Sequence, residues 1–201
     1  MPMQTGVNRT HSKKRPRVAF SSDAYWRNYN KVYLALCDGF CSNNGQPDAV
    51  AGVSYVAFDV TDWSGMPVPS RDAMQRLNND ATPVIRQVRK YFSQIAAPAR
   101  ADMCPTNNLA EATALAQLIT EAYHAGVIHP DNFVHIWTDS QLIVRQVLGL
   151  SKVNNKQLEK QYQYLDSIGL RYKIEHDRSL WDNLVIKHIT GKLMKYGPID
   201  H

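Results

Sequence analysis

Cysteine is scarce in this chain and poorly placed for cross-linking. Cys37, Cys41 and Cys104 are the only three among 201 residues, an odd number without the closely paired knuckles of a zinc site. This argues against a disulfide framework and for reduced thiols in a cytoplasmic setting. Long apolar runs are also missing: none approaches the roughly 20 residues that span a bilayer, so no membrane association is expected. The opening MPMQTGVNRTHSKKRPR lacks the apolar middle of a secretory signal. Being basic and acid-poor, it shares features with an organellar transit peptide, against which its sparse Arg counts.

What is present is one core's worth of apolar residues, 44% of the chain, enough for one domain and cramped for two. The excess positive charge, +5 overall, sits at one end. Residues 1–31 hold Arg9, Lys13, Lys14, Arg15, Arg17, Arg27 and Lys31 against the single acid Asp23, while the rest is balanced to within one charge. With little apolar periodicity, residues 1–29 read as a flexible basic arm. It suits a polyanion through phosphate neutralisation, or serves only as a solvated tail.

Residues 31–37 (KVYLALC) and 50–60 (VAGVSYVAFDV) read as two strands joined by a polar turn, hence antiparallel neighbours. TDWSGMPVP breaks the pattern. Val84, Ile85, Val88, Tyr91, Phe92 and Ile95 then recur at helical offsets within 70–97, with Arg86, Arg89 and Lys90 on the other face. Further helices are expected at about 108–124, 140–148 and 155–168, and a strand at 133–138 (FVHIWT). After Gly169 come a possible short strand (RYKIEH) and a final strand, LVIKHITG. Mixed hairpin and β-α-β segments imply an α/β domain over residues 30–201, with an insertion at about 61–105.

Three acids occupy distinct settings. Asp38 follows the first apolar strand, Glu111 lies in the opening turns of a helix, and Asp139 leaves the strand FVHIWT. Each has an ordinary alternative: a turn Asp before Gly39, a first-turn acid, a helix N-cap. Glu111, however, shares the apolar side of its helix with Leu115 and Leu118. Brought together, three carboxylates are costly unless a cation neutralises them. Hard oxygen donors with few His or Cys competitors favour Mg²⁺ or Mn²⁺ over zinc.

The blocks around these acids resemble those of type 1 ribonucleases H. The matching segments are Cys37-Asp38-Gly39-Phe40-Cys41-Ser42-Asn43-Asn44-Gly45, then Thr106-Asn107-Asn108-Leu109-Ala110-Glu111, then Thr138-Asp139-Ser140-Gln141 with Val144-Arg145-Gln146 downstream. The resemblance runs from about Lys31 onward. It implies a mixed five-stranded sheet flanked by helices, with an inserted helix before the Glu-bearing one. It further implies a monomeric endonuclease in which Asp38, Glu111 and Asp139 hold two Mg²⁺ ions about 4 Å apart, with Mn²⁺ a possible substitute. Such enzymes cut the RNA strand of RNA–DNA hybrids, leaving 5′-phosphate and 3′-hydroxyl ends. Gly39, Asn44, Asn108, Ser140 and Gln141 match substrate-contacting positions; Asn107 reads as a cap or turn residue.

The family usually adds a fourth carboxylate after the last strand. Asp200 lies at nearly that distance, His201 beside it is the second candidate, and the terminal carboxylate a third. The chain departs from the pattern in its 61–105 stretch, in lacking a Trp- and Lys-rich protrusion, and in placing Lys192 near where a loop His is usual. Junction resolvases and integrases share the sheet, and a non-catalytic nucleic-acid-binding module is the alternative of another class. Removing residues 1–29 is expected to weaken hybrid binding and flatten its salt dependence, since six basic residues and one acid leave the molecule. A salt slope unchanged in a filter-binding assay would reduce the arm to a passive tail.

Overall fold

Strand β1 (Lys31–Ser42) is apolar on both faces, as a strand covered from two sides must be. Val32, Leu34 and Leu36 enter one core; Ala35 and Cys37 enter another. The computed structural model describes residues 28–65, 67–92 and 104–199, so all but the last two residues of the basic arm lie outside it. Around β1 lie β2 (Val50–Asp59), β3 (Pro83–Phe92), β4 (Asn132–Thr138) and β5 (Leu184–His188), in the order β3-β2-β1-β4-β5. The β3/β2 and β2/β1 pairs are antiparallel, while β1/β4 and β4/β5 are parallel. This is the mixed five-stranded α/β sheet anticipated, including the antiparallel β1–β2 pair.

On one face pack α2 (Asn107–His124), α3 (Gln141–Val147) and α4 (Lys156–His176). Ala110, Ala112, Ala114 and Ala116 are all buried on α2, and their small side chains let the helix settle close to the sheet. Thr106 starts it by accepting a hydrogen bond from the Leu109 N–H at 3.2 Å, a normal N-cap. On the other face pack α1 (Arg71–Asp80), α5 (Gly191–Met194) and Ile199.

Three expectations need correction. The described part of the expected helix over 70–97 is two elements: α1 ends at Asp80 and the sequence PVIRQVRKYF forms β3. Arg86 and Lys90 are therefore exposed on an edge strand rather than a helix, where charge discourages further strand pairing. Second, RYKIEH is not a strand. It is the last part of α4, which runs through Gly169 because Leu158, Tyr162, Leu165, Ile168 and Tyr172 are buried at helical spacing. That burial outweighs the roughly 1 kcal/mol cost of a helical glycine. Third, the final strand stops at His188, and Thr190 caps α5, whose first residue is Gly191.

Helix α1 also holds the segment after α5. Asn78 Nδ2 donates to the Tyr196 carbonyl at 2.7 Å, and the Arg71 guanidinium lies 4.7 Å from the Tyr196 ring centre. Met74 is fully buried and faces Gly197, where an added Cβ would stand 3.2 Å from its sulfur and 3.5 Å from Leu36 Cδ1. The segment is thus laid against the β1 face that leads to Asp38. If α1 is an integral wall of this core, Met74→Ala should cost about 2–5 kcal/mol in urea unfolding. A change within experimental error would make α1 a mere appendage.

Candidate active site

Strand pairing sets two of the three acids side by side. In the parallel β1–β4 pair, Leu34 is level with His135 and Leu36 with Trp137. Two residues further, the same offset makes Asp38 level with Asp139, the residue after β4 ends at Thr138. Neighbouring strands lie about 4.8 Å apart. Alternation puts both acids on the Leu36/Trp137 face, past the end of that core. The chain turns away after Asp139 because Ser140 caps α3, accepting from the Ile143 N–H at 3.4 Å.

The third acid arrives from the opposite face through Gly39. A Cβ there would stand 2.1 Å from the Glu111 nitrogen and 2.2 Å from the Ala110 carbonyl carbon. Both are backbone atoms that a side chain cannot push aside, so only glycine lets α2 touch β1 here. Ser140 Oγ donates to Glu111 Oε2, and Asn107 Nδ2 donates to Glu111 Oε1 at 2.8 Å. Burial pushes the Glu111 carboxyl up to about 7; Asp139 and Asp38 add to the rise and the Ser140 hydrogen bond opposes it. Burial first and then Asp38 push the thiol of the fully buried Cys37 far above its usual range. Asp38 is only 8% exposed, and Asp139 is half-buried.

These carboxylates act on one another, but they do not form a ready cage. Among the described residues, no three His, Cys, Asp or Glu side chains are gathered around a point that could hold a metal ion. Glu111 is instead satisfied by Ser140 and Asn107. The donor chemistry nonetheless fits a hard divalent cation: three oxygen acids, and one carboxyl driven toward its neutral form by burial and then by its acidic neighbours.

Other anticipated residues fall around this junction. Gly39 has a packing role that its sequence position did not reveal. Asn44 is exposed and its Oδ1 accepts from the Asn107 N–H at 2.8 Å, while Gly45 N–H donates to the Pro105 carbonyl at 2.9 Å. The β1–β2 turn is thereby stitched to the start of α2. Asn108 and Gln141 are exposed in the first turns of α2 and α3, and Ser140 is buried beneath them. A Cβ on Gly191 would lie 3.1 Å from Asp139 Oδ2, so α5 begins beside this acid, with Lys192 exposed next to it. Asp200 and His201 lie outside the described residues; Ile199, just before them, is buried in the second core. Asn107 does more than cap or turn: it holds Glu111, and its i, i+4 spacing to that acid was the signal in the sequence. His124 and His129 are exposed, and His135 is buried in β4.

The half-buried Glu111 and the buried His135 give opposing pH responses in metal-free protein. Glu111, raised to about 7, binds more protons folded than unfolded between about 4.5 and 7, so its contribution to stability falls as pH rises there. His135 is lowered to about 4, by burial and then Lys187. It binds more protons unfolded, so its contribution rises with pH up to about 6.5. The two slopes oppose, each at most about 1.4 kcal/mol per pH unit. In thermal unfolding with EDTA, Glu111→Gln should steepen the acid loss of stability, and His135→Gln should leave stability falling toward pH 7. Unchanged profiles in both variants would refute these assignments.

No family model and no curated protein matches the sequence, but solved structures match its fold. LC11-RNase H1, isolated from compost by a metagenomic approach, is 23% identical with a TM-score of 0.50, over 80% of this chain and 85% of that one. A crystal structure of LC11-RNase H1 in complex with an RNA/DNA hybrid is 22% identical with a TM-score of 0.52, covering 80% and 86%. The N-terminal RNase H domain of rv2228c from Mycobacterium tuberculosis is 17% identical with a TM-score of 0.52, covering 84% and 88%. At such identities the likeness is one of architecture, and on that ground this chain has the type 1 ribonuclease H fold.

Proposed function

We propose that this protein is a metal-dependent endoribonuclease that hydrolyses the RNA strand of RNA–DNA hybrids, leaving 5′-phosphate and 3′-hydroxyl ends. The observation that carries the reading is the meeting of Asp38, Glu111 and Asp139 where β1, β4 and α2 join, with Glu111 raised toward neutrality by burial and by the other two acids. A structure of the same fold in complex with an RNA/DNA hybrid supports the substrate class.

In this reading Asp38, Glu111 and Asp139 would hold two Mg²⁺ ions, with Mn²⁺ as substitute. When bound, such ions supply an activated water and neutralise charge on the phosphate. The protein's own residues prepare that site. Ser140 and Asn107 fix the Glu111 carboxylate from both oxygens, and Gly39 keeps α2 in contact with β1. Asn44, Asn108 and Gln141 are exposed around the junction. Their amides donate and accept, as discrimination between a 2′-hydroxyl and a deoxyribose requires. Asp200 is the first candidate for a fourth ligand and His201 the second. The enzyme acts as a monomer in the cytoplasm. Among the described residues no helix is long and apolar enough to cross a membrane.

A second reading, a nucleic-acid-binding module without catalysis, is favoured by one observation: both Glu111 oxygens already have protein partners. Labelled hybrid, duplex DNA and duplex RNA incubated with Mg²⁺, Mn²⁺ or EDTA separate the two. Metal-dependent loss of the RNA strand in the hybrid supports the nuclease; binding without cleavage in either metal supports the module. Asp139→Asn should abolish cleavage while hybrid binding persists, because it keeps the shape and removes the charge. Cleavage by this variant at near wild-type rate would sink the metal assignment. Asp200→Asn and His201→Ala, titrated across Mg²⁺ and Mn²⁺, identify the fourth ligand by loss of rate or metal affinity in only one of them. Full activity in both would leave a three-carboxylate site.

A further inference from the structure

Two residues beyond Asp38, on the same face of β1, stands Phe40, half-buried and part of neither core. It forms a row across three strands: Phe40 is level with Gly52 on β2, and Gly52 with Tyr91 on β3. With no side chain on Gly52, the Phe40 ring lies over the strand. A Cβ on Gly52 would stand 2.2 Å from Phe40 Cζ and 2.5 Å from Cε1. The Phe40 and Tyr91 rings meet over this gap edge to face, with centres 5.3 Å apart and planes at 82°. Tyr91 remains 60% exposed.

A structural role alone accounts poorly for this row. Glycine in a strand interior weakens the strand, and it commonly marks a close approach by something else. The cross-strand aromatic pair returns about 0.5–1.5 kcal/mol, but with Tyr91 mostly in water it buries little. The row's position is more telling. Along a strand, two residues span about 7 Å, which is roughly two stacked nucleotide rises. Arg86, exposed on β3 and level with Val56, adds positive charge further along the same face.

We propose that Phe40 and Tyr91 form an aromatic ledge on which a nucleotide about two steps along the strand from the phosphate at Asp38 packs its sugar and base. The proposal rests on the nucleic-acid reading of the site and names a contact within it. Gly52 makes the ledge by leaving room for the Phe40 ring. Such a contact is tolerant of sequence, because every nucleotide presents a ring face. It contributes to binding and to register along the strand and takes no part in the chemistry.

The test compares wild type, Tyr91→Ala and Tyr91→Phe, with Tyr164→Ala, an exposed tyrosine on α4, as control. Binding of labelled RNA–DNA hybrid, single-stranded RNA and duplex DNA is followed by fluorescence anisotropy in EDTA. Cleavage of the hybrid is followed in Mg²⁺, and melting temperature is measured for each variant. Tyr91→Ala should weaken binding about tenfold, the loss of one aromatic–nucleotide contact. It should raise KM with little change in kcat, lower the melting temperature by no more than about 6 °C, and be matched in binding by neither Tyr91→Phe nor Tyr164→Ala. Wild-type affinity in Tyr91→Ala overturns the ledge, as does an equal loss in Tyr91→Phe, which would assign the effect to the hydroxyl. A wild-type protein that binds nucleic acid without cutting hybrid, while Tyr91→Ala still binds about tenfold more weakly, keeps the ledge and removes the nuclease. Failure of wild type to bind any of the three nucleic acids overturns both.

Discussion

The site depends on one backbone contact: helix α2 resting directly on strand β1 at Gly39. A helix and a strand normally stand apart by the thickness of their side chains. Here the missing Cβ lets the Ala110–Glu111 peptide close onto the strand, and this closeness brings Glu111 within reach of Asp38 and Asp139. The alanines of α2 extend the close approach along the helix. Without it, the parallel register of β1 and β4 would still align two acids, but the third would be held away by a side-chain layer.

Such convergence has an electrostatic cost that the rest of the fold must bear. Burial, with Asp139 and Asp38 close by, raises the proton affinity of Glu111. Ser140 and Asn107 offset part of that cost through hydrogen bonds, while the two packed faces of the sheet supply the stability that permits it. Ser140 serves twice, capping α3 and holding Glu111, so the turn that ends β4 also steadies the acid from α2. The segment after α5 is tied to α1 by Asn78 and Arg71, which makes the extra helix a wall of the second core.

The elements that carry the three acids were legible in the sequence because each acid stands at a recognisable junction: Asp-Gly after an apolar strand, Glu after Thr-Asn-Asn, Asp-Ser after a β-branched strand. Their order along the chain matched a known arrangement, and the sheet that joins them followed. Strand β3 was hidden for a specific reason. Its pairing with β2 carries register shifts at Val53/Tyr55 and Ala57/Phe58, and such irregularities break the alternation that marks a strand. What remained, Val84, Ile85, Val88 and Tyr91, fits helical spacing equally well. In α4 the local signal of Gly169 was outweighed by long-range burial that no short window contains. The packing role of Gly39 and the Asn107–Glu111 bond are tertiary facts, visible only once α2 and β1 are placed together.

Metal binding by the unliganded protein addresses the site most directly. Calorimetric titration of Mn²⁺ into metal-free protein near pH 7, in buffers of different ionisation enthalpy, reads affinity and released protons together. A site built on Asp38, Glu111 and Asp139, with Glu111 partly protonated there, should bind Mn²⁺ with proton release, and Glu111→Gln should lose both the affinity and the protons. Absence of binding in wild type, or equal binding and proton release in Glu111→Gln, would contradict a metal centre at this junction.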